Sequence, residues 1–343
     1  MTADTDPVSP NRARLIAEFR AFERSLALRA AIEMDLFTRI DSGVDTASTL
    51  AATSGASERG IRILCDYLTV TGHLSKQSDR YLLPPDSRLY LVTTSPAYIG
   101  SAVRFLASDG NLRSFSELTQ AVRNGGASPS AQTIPDSSAW VGFARFMDGM
   151  ARPVADAAAA ALEMDSARPR QVLDVAAGHG LYGLAVAARN PSAHVFALDT
   201  PEVLEVAARN ARLAGAAPRY HLIPGDAFDG DFGGPYDLII MANFAHHFDV
   251  ATNVALFRKC HAALEPSGCL ALIDFVPNDD RVSPAPEAAF ALTMLATTSR
   301  GDAYTFREFS RMLQDAGFLE VRQPDMGAAP KWLITARPRR PTE

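Results

Sequence analysis

The chain has 343 residues, enough for two domains with sizeable cores, and 47% of them are apolar, which fits a globular protein and excludes a disordered one. The formal net charge is −6, which argues against a nucleic-acid partner, and no apolar run reaches the ~20 residues that a membrane helix needs, so no membrane partner is expected. Residues 1–10 lack a basic start and an apolar core, so they do not read as a secretory leader; three cysteines without C-x-x-C spacing (Cys65, Cys260, Cys269) suit reduced thiols in the cytoplasm.

Residues 11–105 read as helices with one polar hairpin. Residues 29–37 place apolar side chains at helical spacing, and 46–52 and 57–70 follow as helices, the last with Ser57 as N-cap. Residues 74–82 read as two short strands around a polar turn. Helix, helix, helix and wing is a winged-helix pattern, so a DNA-binding regulator is one reading. The segment that would enter the groove carries Arg59 and Arg62 but also Glu58 and Asp66, a weak face for phosphate.

Residues 123–138, rich in Gly, Ser and Pro, read as a linker. The helix that follows carries Trp140, Phe143, Met147 and Met150 on one stripe. For any one of these, core packing is the simpler reading; together, Met and aromatic side chains also suit the wall of an apolar pocket.

From residue 170, apolar runs alternate with helix patterns. Candidate strands cover 172–175, 194–198, 219–223, 236–242, 269–275, 318–322 and 332–336, and runs such as Leu238-Ile-Ile-Met241 indicate strands buried on both faces. Thr200-Pro201 predicts an N-cap with Pro at the first helical position, Thr305 to Glu308 a capping box, and Gly317 a helix stop. The fold class is α/β, a Rossmann-like seven-stranded sheet behind a mostly helical, winged-helix-like N-terminal domain.

The first strand of that sheet, Val172-Leu-Asp-Val175, runs into Ala176-Ala-Gly-His-Gly-Leu-Tyr-Gly183. Gly178, Gly180 and Gly183 fit G-x-G-x-x-G, so an NAD-dependent oxidoreductase is one reading. Asp174 opposes it, because a carboxylate at the turn repels a pyrophosphate. S-adenosylmethionine (SAM) carries a sulfonium and an ammonium, which an acid suits. Asp199, at the end of the second strand, suits ribose hydroxyls in either case. Asp226, after the third, can accept from the adenine amino group, and Phe228 can cover the ring.

The segment from about Arg170 to Ala336 resembles class I SAM-dependent methyltransferases, most of all the small-molecule O-methyltransferase branch with an N-terminal dimerisation domain. The resemblance implies that Asp174, Gly178 and Gly180 hold the methionine end of SAM, Asp199 the ribose and Asp226 the adenine, with S-adenosylhomocysteine as product. It implies a homodimer built through residues 11–105, connecting helices over 106–149 and a catalytic domain over 150–337. The family's triple glycine reads Ala176-Ala177-Gly178 here, a sequence that suits a turn with negative φ at the alanines.

Asn243-Phe-Ala-His-His-Phe-Asp249 follows the fourth strand, and Asn243 falls at the strand's carboxyl end beside the expected cofactor. Imidazole titrates near neutrality and can take a proton from a phenol or enol. By resemblance to the family's His-Asp-Trp motif, counted from Arg258-Lys-Cys-His-Ala-Ala-Leu264, His246 occupies the base position, His247 that of the aspartate and Phe248 that of the tryptophan. Asp274 stands where the family's first orienting acid, a glutamate, would be. The second acid falls near Ala303 and is missing, with Asp302 the adjacent candidate to replace it. Phe146, Met147, Met150, Phe290 and Met294 are candidate pocket residues. A metal held by His246, His247, Asp249 and Asp274 is disfavoured, since adjacent histidines diverge. The expected reaction is methyl transfer to a phenolic or enolic oxygen of a small aromatic metabolite; transfer to an activated carbon is the alternative, since it needs the same deprotonation.

Overall fold

The structure, a computed structural model, describes residues 12–129, 137–162, 170–330 and 332–338. It divides into two compact units between Ser108 and Asp109.

The first unit is helical apart from one hairpin: α1 (Arg12–Phe19), α2 (Ala21–Glu33), α3 (Leu36–Asp41), α4 (Ala47–Ser54), α5 (Glu58–Val70), β1 (Ser75–Gln77), β2 (Arg80–Leu82), α6 (Pro85–Leu91) and α7 (Ser101–Leu106). Ser57 caps α5 through the Gly60 N–H, as its position before an apolar period predicts. The helix expected over 29–37 is broken, because Asp35 adopts a left-handed φ of 54° and starts a new helix. Leu36, Phe37, Leu50, Ile61, Leu68 and Tyr81 form this unit's core.

The second unit opens with α8 (Asp109–Ser116), α9 (Leu118–Asn124) and α10 (Ser137–Ala161). The boundary expected at 149/150 falls inside α10. Strands and helices then alternate: β3 (Arg170–Val175), α11 (Leu181–Arg189), β4 (Ala193–Asp199), α12 (Pro201–Leu213), β5 (Tyr220–Pro224), β6 (Tyr236–Ala242), α13 (Val250–Ala263), β7 (Leu264–Ile273), α14 (Ala285–Thr297), α15 (Phe306–Asp315), β8 (Phe318–Arg322) and β9 (Leu333–Pro338). The sheet has seven strands in the order β5-β4-β3-β6-β7-β9-β8, with β9 antiparallel to both neighbours.

Period-2 alternation gives the central strands β3, β6 and β7 two buried faces, while the edge strands β5 and β8 stay partly exposed. Val172, Val195, Leu238 and Ile240 pack with α10, α11 and α12 on one side, while Leu173, Val175, Ile239 and Met241 pack with α13 and α15 on the other. This is why the strands read as continuous apolar runs. Strand order reverses between β3 and β6, and ligands of such sheets bind at the carboxyl ends beside that point.

The capping box at Thr305 and Glu308 is present, and Gly317 follows α15 with φ 104°. The Thr200 cap is corrected: Pro201 occupies the first turn, but the Thr200 side chain caps nothing, and its backbone N–H donates to Asp199 Oδ1 at 2.7 Å.

Candidate active site

A cleft of about 420 Å³ opens at the carboxyl ends of β3, β4 and β6. Asp174, Gly178, Asp199, Asp226, Phe228 and Asn243 line it, with Met147 from α10 and His247 from the turn after β6. His179, Tyr182, Phe244, Phe248 and the Thr297–Ser299 segment also line it; the sequence pattern did not single them out for this role, and the last three come from the end of α14 and the turn after it, far along the chain.

Asp174 is buried near the end of β3, and its Oδ2 accepts the Gly183 N–H at 3.1 Å. Burial pushes its carboxyl up to about 8, with the Gly183 bond opposing and Asp199 adding repulsion. Gly183 is confined to glycine by packing, since a Cβ there would lie 2.7 Å from Val195 and 3.0 Å from Asp174 Oδ2. Asp199 Oδ2 accepts the Gly178 N–H at 2.8 Å, tying the second strand's acid to the first strand's turn. Its carboxyl is also raised by burial, against the Gly178 and Thr200 N–H bonds. Asp226 Oδ1 accepts the Phe228 N–H at 2.9 Å. Phe228 packs edge-on against Phe248 and close to Phe244.

The turn itself departs from expectation. Ala176 adopts φ 54°, beside Gly178 at 57° and Gly180 at 74°. Alanine therefore occupies a left-handed position that suits glycine better, a local strain of about 1–2 kcal/mol that the surrounding bonds sustain.

Asn243 also has a positive φ, 52°. Its Nδ2 donates to the Tyr182 hydroxyl at 3.2 Å, while its Oδ1 is buried without a partner. An orphaned acceptor, the buried Asp174 and the half-buried Asp199 face a cleft whose described lining contains no lysine or arginine. That set fits a cationic ligand with donor groups, as SAM is, and not a pyrophosphate.

The two histidines separate. His246 and His247 sit in a short 3-10 turn, Ala245–His247, pinned by Asn253 Nδ2 to the Ala245 carbonyl and by the Asp302 N–H to the His246 carbonyl. His246 is 4% exposed and does not line the cleft. Its Nδ1 lies 2.6 Å from Asp274 Oδ1, and its backbone N–H donates to Asp274 Oδ2 at 3.1 Å. The Phe290 ring stands edge-on to the imidazole at 4.9 Å. His247 is half-buried in the cleft wall, its pKa held well below the ordinary histidine range by burial and by neighbouring His246.

Asp302 does not replace a second acid at the imidazole. Its carboxylate faces Arg281, and its contact with His246 is through backbone. Met294 is buried on α14, outside the cleft lining. The Phe146 and Met150 side chains lie outside the described residues. Among the described residues, no cluster of three or more His, Cys, Asp or Glu is placed to hold a metal ion.

Comparison with known proteins gives the same assignment. An O-methyltransferase domain matches residues 115–319, more than half of the chain, and an O-methyltransferase dimerisation domain matches residues 18–93. The chain belongs to the O-methyltransferase family. This O-methyltransferase is 28% identical to the tetracenomycin polyketide synthesis 8-O-methyl transferase of Streptomyces glaucescens, over 93% of this chain and 95% of that one. It is 27% identical to the 3-hydroxy-5-methyl-1-naphthoate 3-O-methyltransferase of Streptomyces sahachiroi, over 87% of each. A crystal structure of a candidate O-methyltransferase from Nostoc punctiforme is 42% identical, with a TM-score of 0.89, covering 96% of this chain and 99% of that one. The O-methyltransferase uses SAM, and its relatives include enzymes named for tetracenomycin polyketide synthesis and mitomycin biosynthesis. The dinucleotide reading of the glycine turn therefore gives way, and the helix-and-wing segment is a dimerisation domain rather than a DNA reader. Among the described residues no helix is long and apolar enough to cross a membrane.

Proposed function

We propose that this O-methyltransferase methylates a phenolic or enolic oxygen of a small aromatic metabolite, with His246 as general base. The observation that carries the reading is the buried contact between His246 Nδ1 and Asp274 Oδ1 at 2.6 Å. A carboxylate can only accept, so it assigns the proton to Nδ1 and leaves Nε2 with a lone pair. It also stabilises the imidazolium that forms when Nε2 takes the acceptor's proton, as a positioned base requires. His247 is the second candidate and the weaker one, since burial and His246 both disfavour its charged form.

In this reading Asp174 holds the methionine ammonium, Asp199 the ribose hydroxyls and Asp226 the adenine amino group, which their shared lining of one cleft with Asn243 and Phe228 supports. When bound, SAM supplies an electrophilic methyl group on a sulfonium and departs as S-adenosylhomocysteine. The family name specifies oxygen, and relatives named for polyketide and naphthoate oxygens support a condensed phenol as acceptor. Residues 11–105 serve as the dimerisation domain of a homodimer and 150–337 as the catalytic domain, which the dimerisation match and the exposed Phe19 and Phe22 support. Three buried free cysteines suit a cytoplasmic enzyme.

Incubation of the chain with SAM and a panel of naphthols, hydroxylated heterocycles and enolisable keto acids tests the reading. The expected product gains one methyl on oxygen, located by fragmentation, and forms about 10²–10⁴-fold more slowly with His246→Ala. A methyl on carbon, or full turnover in His246→Ala, overturns it.

A further inference from the structure

Glu287 is a carboxylate that the reaction above does not use. It lies in the first turn of α14 and is 6% exposed. Its Oε1 accepts the Trp332 indole N–H at 2.8 Å, while Oε2 is buried with no partner. A buried acceptor left open is costly and needs an explanation.

Its place in the fold supplies one. Glu287, Phe290 and Met294 follow one another at i, i+3 and i+7 along a single face of α14. Three residues, a rise of ~4.5 Å and just under one helical turn, separate Glu287 from Phe290, whose ring stands against His246. Trp332, the partner of Oε1, accepts the Asp274 backbone N–H at 3.0 Å with its own carbonyl, and Asp274 holds His246. The carboxylate is thus tied through one tryptophan to the histidine–aspartate pair. Between them stand Phe290 stacked on Phe275 at 4.0 Å and Phe275 against Trp332 at 4.5 Å. Each of the three rings is half-buried, and aromatic side chains suit contact with a flat aromatic ligand.

We propose that Glu287 is a specificity-determining residue whose Oε2 takes a hydrogen-bond donor, a second hydroxyl or an amine, on the side of the methyl acceptor away from the reacting oxygen. The proposal rests on the reading of His246 as the base. The acceptor class it selects is a condensed phenol with a donor on its far ring.

Calorimetry on the full chain saturated with S-adenosylhomocysteine tests this without turnover. The probes are a naphthalenediol with its hydroxyls on opposite rings and the monomethyl ether of that diol. The diol is expected to bind about tenfold more tightly, the worth of one hydrogen bond to a charged group. Glu287→Gln keeps an oxygen for the Trp332 N–H and presents an amide donor in place of Oε2, so the preference should reverse toward the ether. Equal affinities in the wild type, no binding of the diol, or a diol preference that survives Glu287→Gln each overturn the proposal. Turnover of His246→Ala is measured separately. Binding with the expected preference but undiminished turnover in His246→Ala removes the base and leaves Glu287 its role. Turnover that needs His246, with equal affinities, does the reverse.

Discussion

Asp274 meets His246 at two points, the ring through Oδ1 at 2.6 Å and the backbone N–H through Oδ2 at 3.1 Å. With this second contact the aspartate, which stands where the resemblance places a glutamate, holds both the ring and the turn that carries it. Phe275 N–H and the Trp332 carbonyl fix Asp274 in turn. Asp274→Asn keeps the volume but removes the charge and offers a donor to Nδ1, so the imidazole is driven to the wrong tautomer. The expected result is a fall in kcat of about 10²–10⁴ with SAM affinity retained, read by steady-state kinetics and calorimetry. A variant with near-normal kcat would remove Asp274 from the mechanism.

The adjacent histidines should separate in kinetics as they do in space. His246→Ala is expected to lower kcat by about 10²–10⁴, the usual worth of a positioned base. His247 lines the cleft with a depressed pKa, so His247→Ala should act mainly on KM, with kcat within about tenfold of wild type. The reverse pattern would move the base to His247.

Much of this was legible in the sequence because single residues carried it. Asp174, Asp199 and Asp226 each close a strand, and the structure brings all three to one cleft. Continuous apolar runs marked strands covered on both faces. What was not legible depends on contacts between distant segments. Thr297–Ser299 reach the cleft from the C-terminal end of α14 and the turn after it, and no local pattern announces that. The left-handed turns at Asp35 and Ala176 oppose the residues' own preference, so tertiary bonds override propensity there. Asp302 stands next to the missing acid's position, yet Arg281 takes its carboxylate, which sequence spacing cannot show.

Gly180 and Tyr220 offer a test of the turn. Gly180 has φ 74°, and a Cβ there would lie 2.3 Å from the Tyr220 hydroxyl. Gly180→Ala should destabilise the protein by about 2–4 kcal/mol, combining left-handed strain with overpacking. Tyr220→Phe removes a buried hydroxyl that has no partner, so alone it should be neutral or stabilising. In the double variant Tyr220→Phe should recover part of the Gly180→Ala loss, read by denaturant titration. Additive losses would mean that the hydroxyl is not the obstacle.

Asp174 makes the response to SAM depend on pH. Its folded carboxyl titrates near 8 against an ordinary value of 3.8, so between those limits the folded chain holds a proton that the unfolded chain has released. Stability without cofactor should therefore decline as pH rises through that window and level off above it. Asp199, raised by burial too, acts in the same sense. If SAM places its sulfonium and ammonium beside Asp174, as proposed, they favour its ionised form and cancel the loss. The rise in melting temperature caused by saturating SAM should accordingly be larger at about pH 8 than at about pH 6. Asp174→Asn should flatten that dependence while weakening SAM binding. A SAM shift that shrinks toward high pH, or one with equal slope in Asp174→Asn, would mean that the cofactor's positive charge lies elsewhere.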